Sequence, residues 1–152
     1  KQMPIWMDDT PGIKLGQLQA QARQWVQRHD IKVLIVDYVQ LMGYDARLSD
    51  FEGITRNIQG LKTLNRDLDV VGVNLAQINR SGAEGGWPQI HQLKGTGEFE
   101  QAADTITMIH QDKESKTTKL IVGKNRDGEK GVCDVKFDGP TGRFLPLTHG
   151  VI

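Results

Sequence analysis

Several side chains stand where their types and spacing could do chemistry on phosphate. Asp37 ends the apolar run "KVLIV". An acid at the carboxyl end of a buried strand can hold a Mg²⁺ ion on a nucleotide's phosphates, or it can cap the next loop. Gln77 ends the next apolar run, in "LAQINR". A glutamine there can sense a γ-phosphate or position water, and equally it can bond the local backbone. Lys124 and Arg126 lie two residues apart beside a turn, so period-2 alternation puts both on one face if the strand persists. Such a pair can clamp phosphate charge or can be two solvated cations.

A fourth group lies in "QINRSGAEGGWPQIHQLKGTG", with five glycines and a proline. Arg80 and Lys94 carry charge there, and Gly95 and Gly97 let backbone N–H groups come close to an anion. That equipment suits a nucleic-acid backbone, held by its phosphates without sequence preference, and it also suits a plain surface loop. The segment is long for an idle connection, and long loops in compact domains are often functional. Trp87 can stack on a base or pack beside Pro88 on its own domain. The four histidines show no spacing that suggests a metal site, and the four methionines read as core filler.

Positioning these groups requires strands and helices in a definite order. "PIWMDD" reads as a short strand ending in acids. Leu15, Leu18, Ala22, Trp25 and Val26 recur at helical spacing and predict a helix near 14–29. The four aliphatics Val33 to Val36 predict a strand covered on both faces. Ser49 and Glu52 have capping-box spacing, and Phe51, Ile54, Ile58, Leu61, Leu64 and Leu68 mark one face of a second helix. Val70 to Ala76 reads as another buried strand. Strand alternating with helix predicts right-handed crossovers and an α/β fold with a mostly parallel sheet flanked by helices. Beyond the loop come a short helix, "EFEQAAD", a strand, "TITMIH", and an antiparallel hairpin. The hairpin's two strands, "TKLIVGKN" and "GVCDVKFD", flank "RDGEK", where Asp127-Gly128 signals the turn.

Composition limits the function classes. Lysine plus arginine equals aspartate plus glutamate at 19 each, so any nucleic-acid contact must be local. The single cysteine, Cys133, excludes an intrachain disulfide and a cysteine-based zinc cluster, which suits a reducing cytosol. No apolar run reaches transmembrane length. At 152 residues the chain fits one domain or a piece of one, and its opening on Lys1 reads as an excerpt or a processed product.

"PIWMDDTPG", "KVLIVDYVQLM", "LAQINR", "LKGTGEFEQAAD" and "IVGKNRDGEKG…VKFDGPTGRF" occur in order along nearly the whole chain. Together they resemble the C-terminal RecA-like ATPase domain of the DnaB family of hexameric replicative helicases, phage members included. The resemblance implies an ATP-dependent DNA helicase that couples hydrolysis to single-strand translocation and duplex unwinding. It makes Asp37 the Walker B acid for Mg²⁺–ATP and Gln77 the link between the γ-phosphate and the DNA loops. It makes Lys124 and Arg126 a finger into the neighbouring subunit's ATP site, and it places Phe137 near the nucleotide base. Lys94, Gly95 and Gly97 would hold single-stranded DNA in the channel of a homo-hexamer, with primase or a loader as further partners. The implied location is the cytoplasm of a bacterium or of a phage-infected cell.

Two departures bear on these expectations. Gly95 stands where the family usually has an acid. No G-x-x-x-x-G-K-[ST] occurs in the chain: in "VGKN" Thr118 stands at the first glycine's place and Asn125 at the Ser/Thr. Residues 1–152 are therefore expected to be a single partial domain, the C-terminal portion of a motor, inactive as an ATPase alone. The alternatives are a non-catalytic RecA-like DNA-binding or assembly module, or a fragment of a RecA-like recombinase or clock-type ATPase.

Overall fold

The computed structural model describes residues 3–78, 87–93, 96–111 and 117–147. The chain divides into two compact units, Lys1–Gln77 with Gly97–Ala102, and Ile78–Thr96 with Ala103–Ile152.

The first unit is a β-α-β crossover preceded by a helix. Helix α1 spans Leu15–His29, buries Leu18 and Ala22, and ends where Asp30 turns left-handed at φ 52°. Arg28 and His29 in its last turn complement the helix dipole. Strand β1 (Val33–Val36) leads through a 3-10 turn at Val39–Leu41 into α2 (Asp50–Leu68). The expected capping box forms. Ser49 Oγ accepts from the Glu52 N–H at 3.3 Å, and the Glu52 carboxylate accepts from the Ser49 N–H at 2.9 Å. The Ser49 hydroxyl also donates to the Glu52 carboxylate at 2.7 Å, and this bond first, then the one from the Ser49 N–H, lowers the Glu52 pKa. Of the apolar residues expected on one face of α2, Ile54, Ile58, Leu61 and Leu64 are buried, and Phe51 at the first turn is exposed.

Strand β2 (Val71–Asn74) pairs with β1 in parallel, Val33 opposite Val71 and Val36 opposite Asn74. Ala22, Leu34 and Leu64 form the core beneath this pair, with Leu68 and Val70 against it. Gly72 lets α2 approach closely, since a Cβ there would overlap the Asn65 side-chain amide. The strands were expected to be covered on both faces; the described residues cover them on one. Leu34 and Val36 are buried, but Val33 is 48% and Ile35 64% exposed, as are Val71 at 62% and Val73 at 44%. Only one layer of helix lies on this sheet among the described residues.

The strand expected in "PIWMDD" is corrected. That segment pairs with no strand, and Met3, Ile5 and Met7 are exposed. A strand needs a neighbour for its backbone, and among the described residues it has none. Instead Trp6 stacks on His29, ring centroids 4.4 Å apart.

The second unit is an antiparallel meander, β3 (Thr105–Gln111), β4 (Thr118–Asn125), β5 (Gly131–Asp138) and β6 (Arg143–Pro146), paired in that order. The expected hairpin is its centre, and β3 and β6 extend it on either side. The α/β class stands, with a parallel pair in the first unit and, in the second, a larger antiparallel sheet than the one hairpin expected. Connection length explains the division: the α2 crossover makes β1 and β2 parallel, whereas short turns force antiparallel neighbours. Ile106, Met108, Ile121 and Val135 are buried. Lys119 and Asp134, cross-strand partners, form an ion pair at 2.7 Å. The short helix α3 (Thr96–Ala102), nearly all of it in the first unit, starts and ends two residues before the expected segment does.

Candidate functional site

Parallel pairing brings the carboxyl ends of β1 and β2 to one edge. Asp37 follows the last residue of β1, is exposed, and its peptide bond to Tyr38 is cis. Beyond the ladder proper, Leu75 N–H donates to the Val36 carbonyl at 2.9 Å and Val39 N–H to the Leu75 carbonyl at 3.0 Å. These bonds carry the pairing forward to Gln77. There Gln40, on the 3-10 turn after Asp37, brackets the Gln77 backbone. Its Nε2 donates to the Gln77 carbonyl and its Oε1 accepts from the Gln77 N–H, both at 3.3 Å. The clamp uses only Gln77's main chain, so its side-chain amide is left out of it. Gln40 escaped the sequence reading because nothing local marks a glutamine that will bond 37 residues away.

Lys124 and Arg126 face alternate residues of β3 and the segment before it, although β4 itself ends at Asn125. Lys124 lies opposite Ile106, and Arg126, just past the strand end, donates its N–H to the Asp104 carbonyl at 2.9 Å. Asp104 and Ile106 are themselves two apart on the facing chain. The Arg126 guanidinium also meets the Asp104 carboxylate at 2.5 Å. Asn125 Nδ2 donates to the Glu129 carbonyl at 3.3 Å and ties the turn to its own strand.

Phe137 on β5 is 44% exposed and sits across from Phe144 on β6, centroids 5.1 Å apart. Phe144, 43% exposed, makes the aromatic surface a pair.

Of the loop residues, Gly97 lies within α3 and is exposed, with open space where a Cβ would sit. Arg80, Lys94 and Gly95 lie outside the described residues. The limbs of the loop meet in an antiparallel bridge between Ile78 and Leu93. Trp87 packs on its own unit, the Lys119 ammonium 5.3 Å from its ring centroid. Asp37 and Gln77 thus share one edge in the first unit, and Lys124, Arg126 and Phe137 lie on the second.

An exposed carboxylate and a glutamine clamped by its main chain at one strand edge of the first unit, and a cationic pair beside a turn of the second, are each parts for handling phosphate. Comparison with known proteins decides the family. The model of the DnaB-like helicase C-terminal domain matches residues 1–146. The chain belongs to this family. The DnaB replicative DNA helicase of Treponema pallidum is 35% identical over 146 residues, covering 93% of this chain and 32% of that protein. The DnaB replicative helicase of Leifsonia xyli is 30% identical, covering 95% of this chain and 34% of its own length. The chain thus spans about a third of the length of these curated relatives.

The fold comparison agrees. A DnaB-like replicative helicase, solved in work on its interactions with primase, superposes with a TM-score of 0.82 at 26% identity. It covers 92% of this chain and 36% of that one. A second solved structure, that of an ATPase domain, superposes with a TM-score of 0.78 at 25% identity, covering 90% of this chain and 52% of that one. The fold is that of the family's RecA-like ATPase domains. No helix among the described residues is long and apolar enough to cross a membrane.

Proposed function

We propose that this chain is the C-terminal portion of the motor domain of an ATP-dependent, hexameric replicative DNA helicase. The observation that carries the proposal is the shared edge of β1 and β2, where Asp37 and the clamped Gln77 stand together in a chain matched by the family almost end to end. Asp37 would serve Mg²⁺. Among the described residues no group of three or more His, Cys, Asp or Glu could hold a metal ion alone. A single exposed carboxylate fits Mg²⁺ bound mainly by substrate phosphates and waters. When bound, Mg²⁺ neutralises charge on the transferred phosphoryl group.

The chain's own residues divide the rest of the work. Asp37 orients the cation-bearing triphosphate and Gln77 reports its terminal phosphate. Lys124 and Arg126 serve the nucleotide of the adjacent subunit, and Phe137 offers a face to the base. Arg80, Lys94, Gly95 and Gly97 hold single-stranded DNA by its backbone in the ring's channel. Gly95 brings no acid into the sequence next to Lys94. The phosphate cradle comes from elsewhere in the polypeptide, since no G-x-x-x-x-G-K-[ST] occurs here. The uncovered β1–β2 face supports reading residues 1–152 as part of one domain, with further chain of the same polypeptide lying over Val33, Ile35, Val71 and Val73. Primase or a loader would be partners of the assembled ring, in the cytoplasm.

The test is ATP hydrolysis and strand separation by the full-length polypeptide carrying Asp37→Ala. Loss of both, with folding and ring assembly retained, is the expected result. Unchanged hydrolysis would remove Asp37 from the site, and hydrolysis absent from the unaltered protein would favour the non-catalytic module.

A further inference from the structure

We infer that Asp104 is a positioning residue for Arg126, fixing the guanidinium in the attitude from which it serves the neighbouring subunit's phosphate. The inference rests on the trans-acting reading of Arg126 proposed above. Asp104 holds Arg126 twice, by its carbonyl to the backbone N–H at 2.9 Å and by its carboxylate to Nη1 at 2.5 Å. Backbone and side chain are thus tied to one residue.

A register shift between β3 and β4 accompanies this meeting. Along β3 and β4, Thr107 faces Val122 but Ile106 faces Lys124, so Gly123 is an extra residue with no partner. This is a β-bulge, a device that re-aims the side chains beyond it. Without the slip, Ile106 would face Gly123, Thr105 would face Lys124 and Ala103 would face Arg126. Both cations would then point from the opposite side of the sheet, because a one-residue shift exchanges faces. Glycine suits the bulge because a Cβ there would come within 2.8 Å of Met108 Cε and 3.1 Å of Ile90 Cδ1. Ile106 and Met108 are buried and anchor the β3 side of the register.

Stability does not explain the pair. The side chains of Arg126 and Asp104 are 50% and 66% exposed, and exposed ion pairs contribute little to folding. Orientation does. A guanidinium has five N–H donors, and the carboxylate engages Nη1, leaving Nε and Nη2 for phosphate oxygens. A long side chain ordered beforehand need not be ordered as charge develops on the phosphoryl group.

The experiment uses steady-state ATP hydrolysis by the assembled full-length protein. Asp104→Ala should lower kcat by about 10- to 100-fold, the scale of a misplaced catalytic group, with KM nearly unchanged. Asp104→Asn, whose Oδ1 still accepts from Nη1, should restore most of kcat. The thermal midpoint should move in neither variant. If Asp104→Ala does not assemble, Asp104→Ser, whose shorter side chain leaves its oxygen out of reach, must show the same loss in kcat. Wild-type kcat in an assembled Ala or Ser variant, a loss confined to KM, or an Asn variant as impaired as Ala would each overturn the inference. Arg126→Ala is measured alongside. If it leaves kcat intact, the trans-acting reading has failed and this inference with it. If it lowers kcat while Asp104→Ala does not, only the role of Asp104 has failed.

Discussion

β1 and β4 each deliver a charged residue assigned to phosphate, and they do it by different means. β1 needs no irregularity. It ends, Asp37 follows, and the parallel crossover through α2 brings the end of β2 and Gln77 to the same edge. The position is a product of topology, the general reason ligands gather at strand ends in α/β sheets. β4 is a strand of a plain meander, whose topology singles out no edge. Its cations reach their side only through the bulge at Gly123 and the hold of Asp104. A parallel unit gives a site through connectivity, whereas an antiparallel unit needs a local departure from regularity.

This contrast can be broken at several strengths. The largest effect is expected at Arg126. A finger supplied across an interface contributes about 10³ to 10⁵ in rate, so Arg126→Ala in the full-length protein should lower ATP turnover by that order. A loss of only severalfold would make the turn an ordinary charged loop.

Next comes the bare face of the parallel pair. Leu34→Ala should cost about 2–5 kcal/mol as a buried deletion, measured by denaturant unfolding of the full-length protein. If further chain covers the opposite face there, Ile35→Ala should cost a comparable amount. A change within about 0.5 kcal/mol, typical of a surface site, would leave that face exposed and the partial-domain reading unsupported.

A smaller effect belongs to the cap that starts the crossover. Ser49→Ala removes the acceptor for the Glu52 N–H and should cost about 1 kcal/mol. Glu52 adds a pH dependence whose sign is fixed. Its folded pKa is lowered, so its contribution is present above the unfolded carboxylate range and is lost as pH falls through the folded value. Unfolding midpoints of wild type and Glu52→Gln should therefore differ at neutral pH and converge in acid. A constant difference would assign the effect to something other than the charge.

The smallest effect is at Lys94. Lys94→Ala should weaken single-stranded DNA binding about equally for all sequences. The logarithmic salt slope should become shallower by about 0.7, one phosphate's worth. Altered sequence preference with an unchanged slope would contradict a backbone contact.

The parts legible in the sequence were those set by local spacing. The 3.6-residue period gave α1 and α2, Ser49 and Glu52 gave the cap, and Asp127-Gly128 gave the turn. The parts that were not legible depend on a partner. An aliphatic run reads the same with one face covered or two, so the exposure of Val33 and Ile35 left no trace. "PIWMDD" has strand composition but no neighbour among the described residues. A bulge exists only relative to the opposing strand, so Gly123 looked like any glycine in "VGKN" until β3 was laid beside it. Asp104, Gln40 and Phe144 join the candidate site for the same reason, through contacts made 22, 37 and 7 residues away along the chain.

The most direct test of the proposal that the two regions handle phosphate in different subunits is a mixing experiment. Full-length Arg126→Ala and a full-length variant with a disabled phosphate-binding loop are each expected to be nearly inactive. Mixed rings should recover ATP turnover, because an intact Arg126 then faces an intact nucleotide site across some interfaces. Mixed rings shown to form but giving no turnover beyond the two variants measured separately would contradict the assignment of Arg126 to the neighbouring subunit.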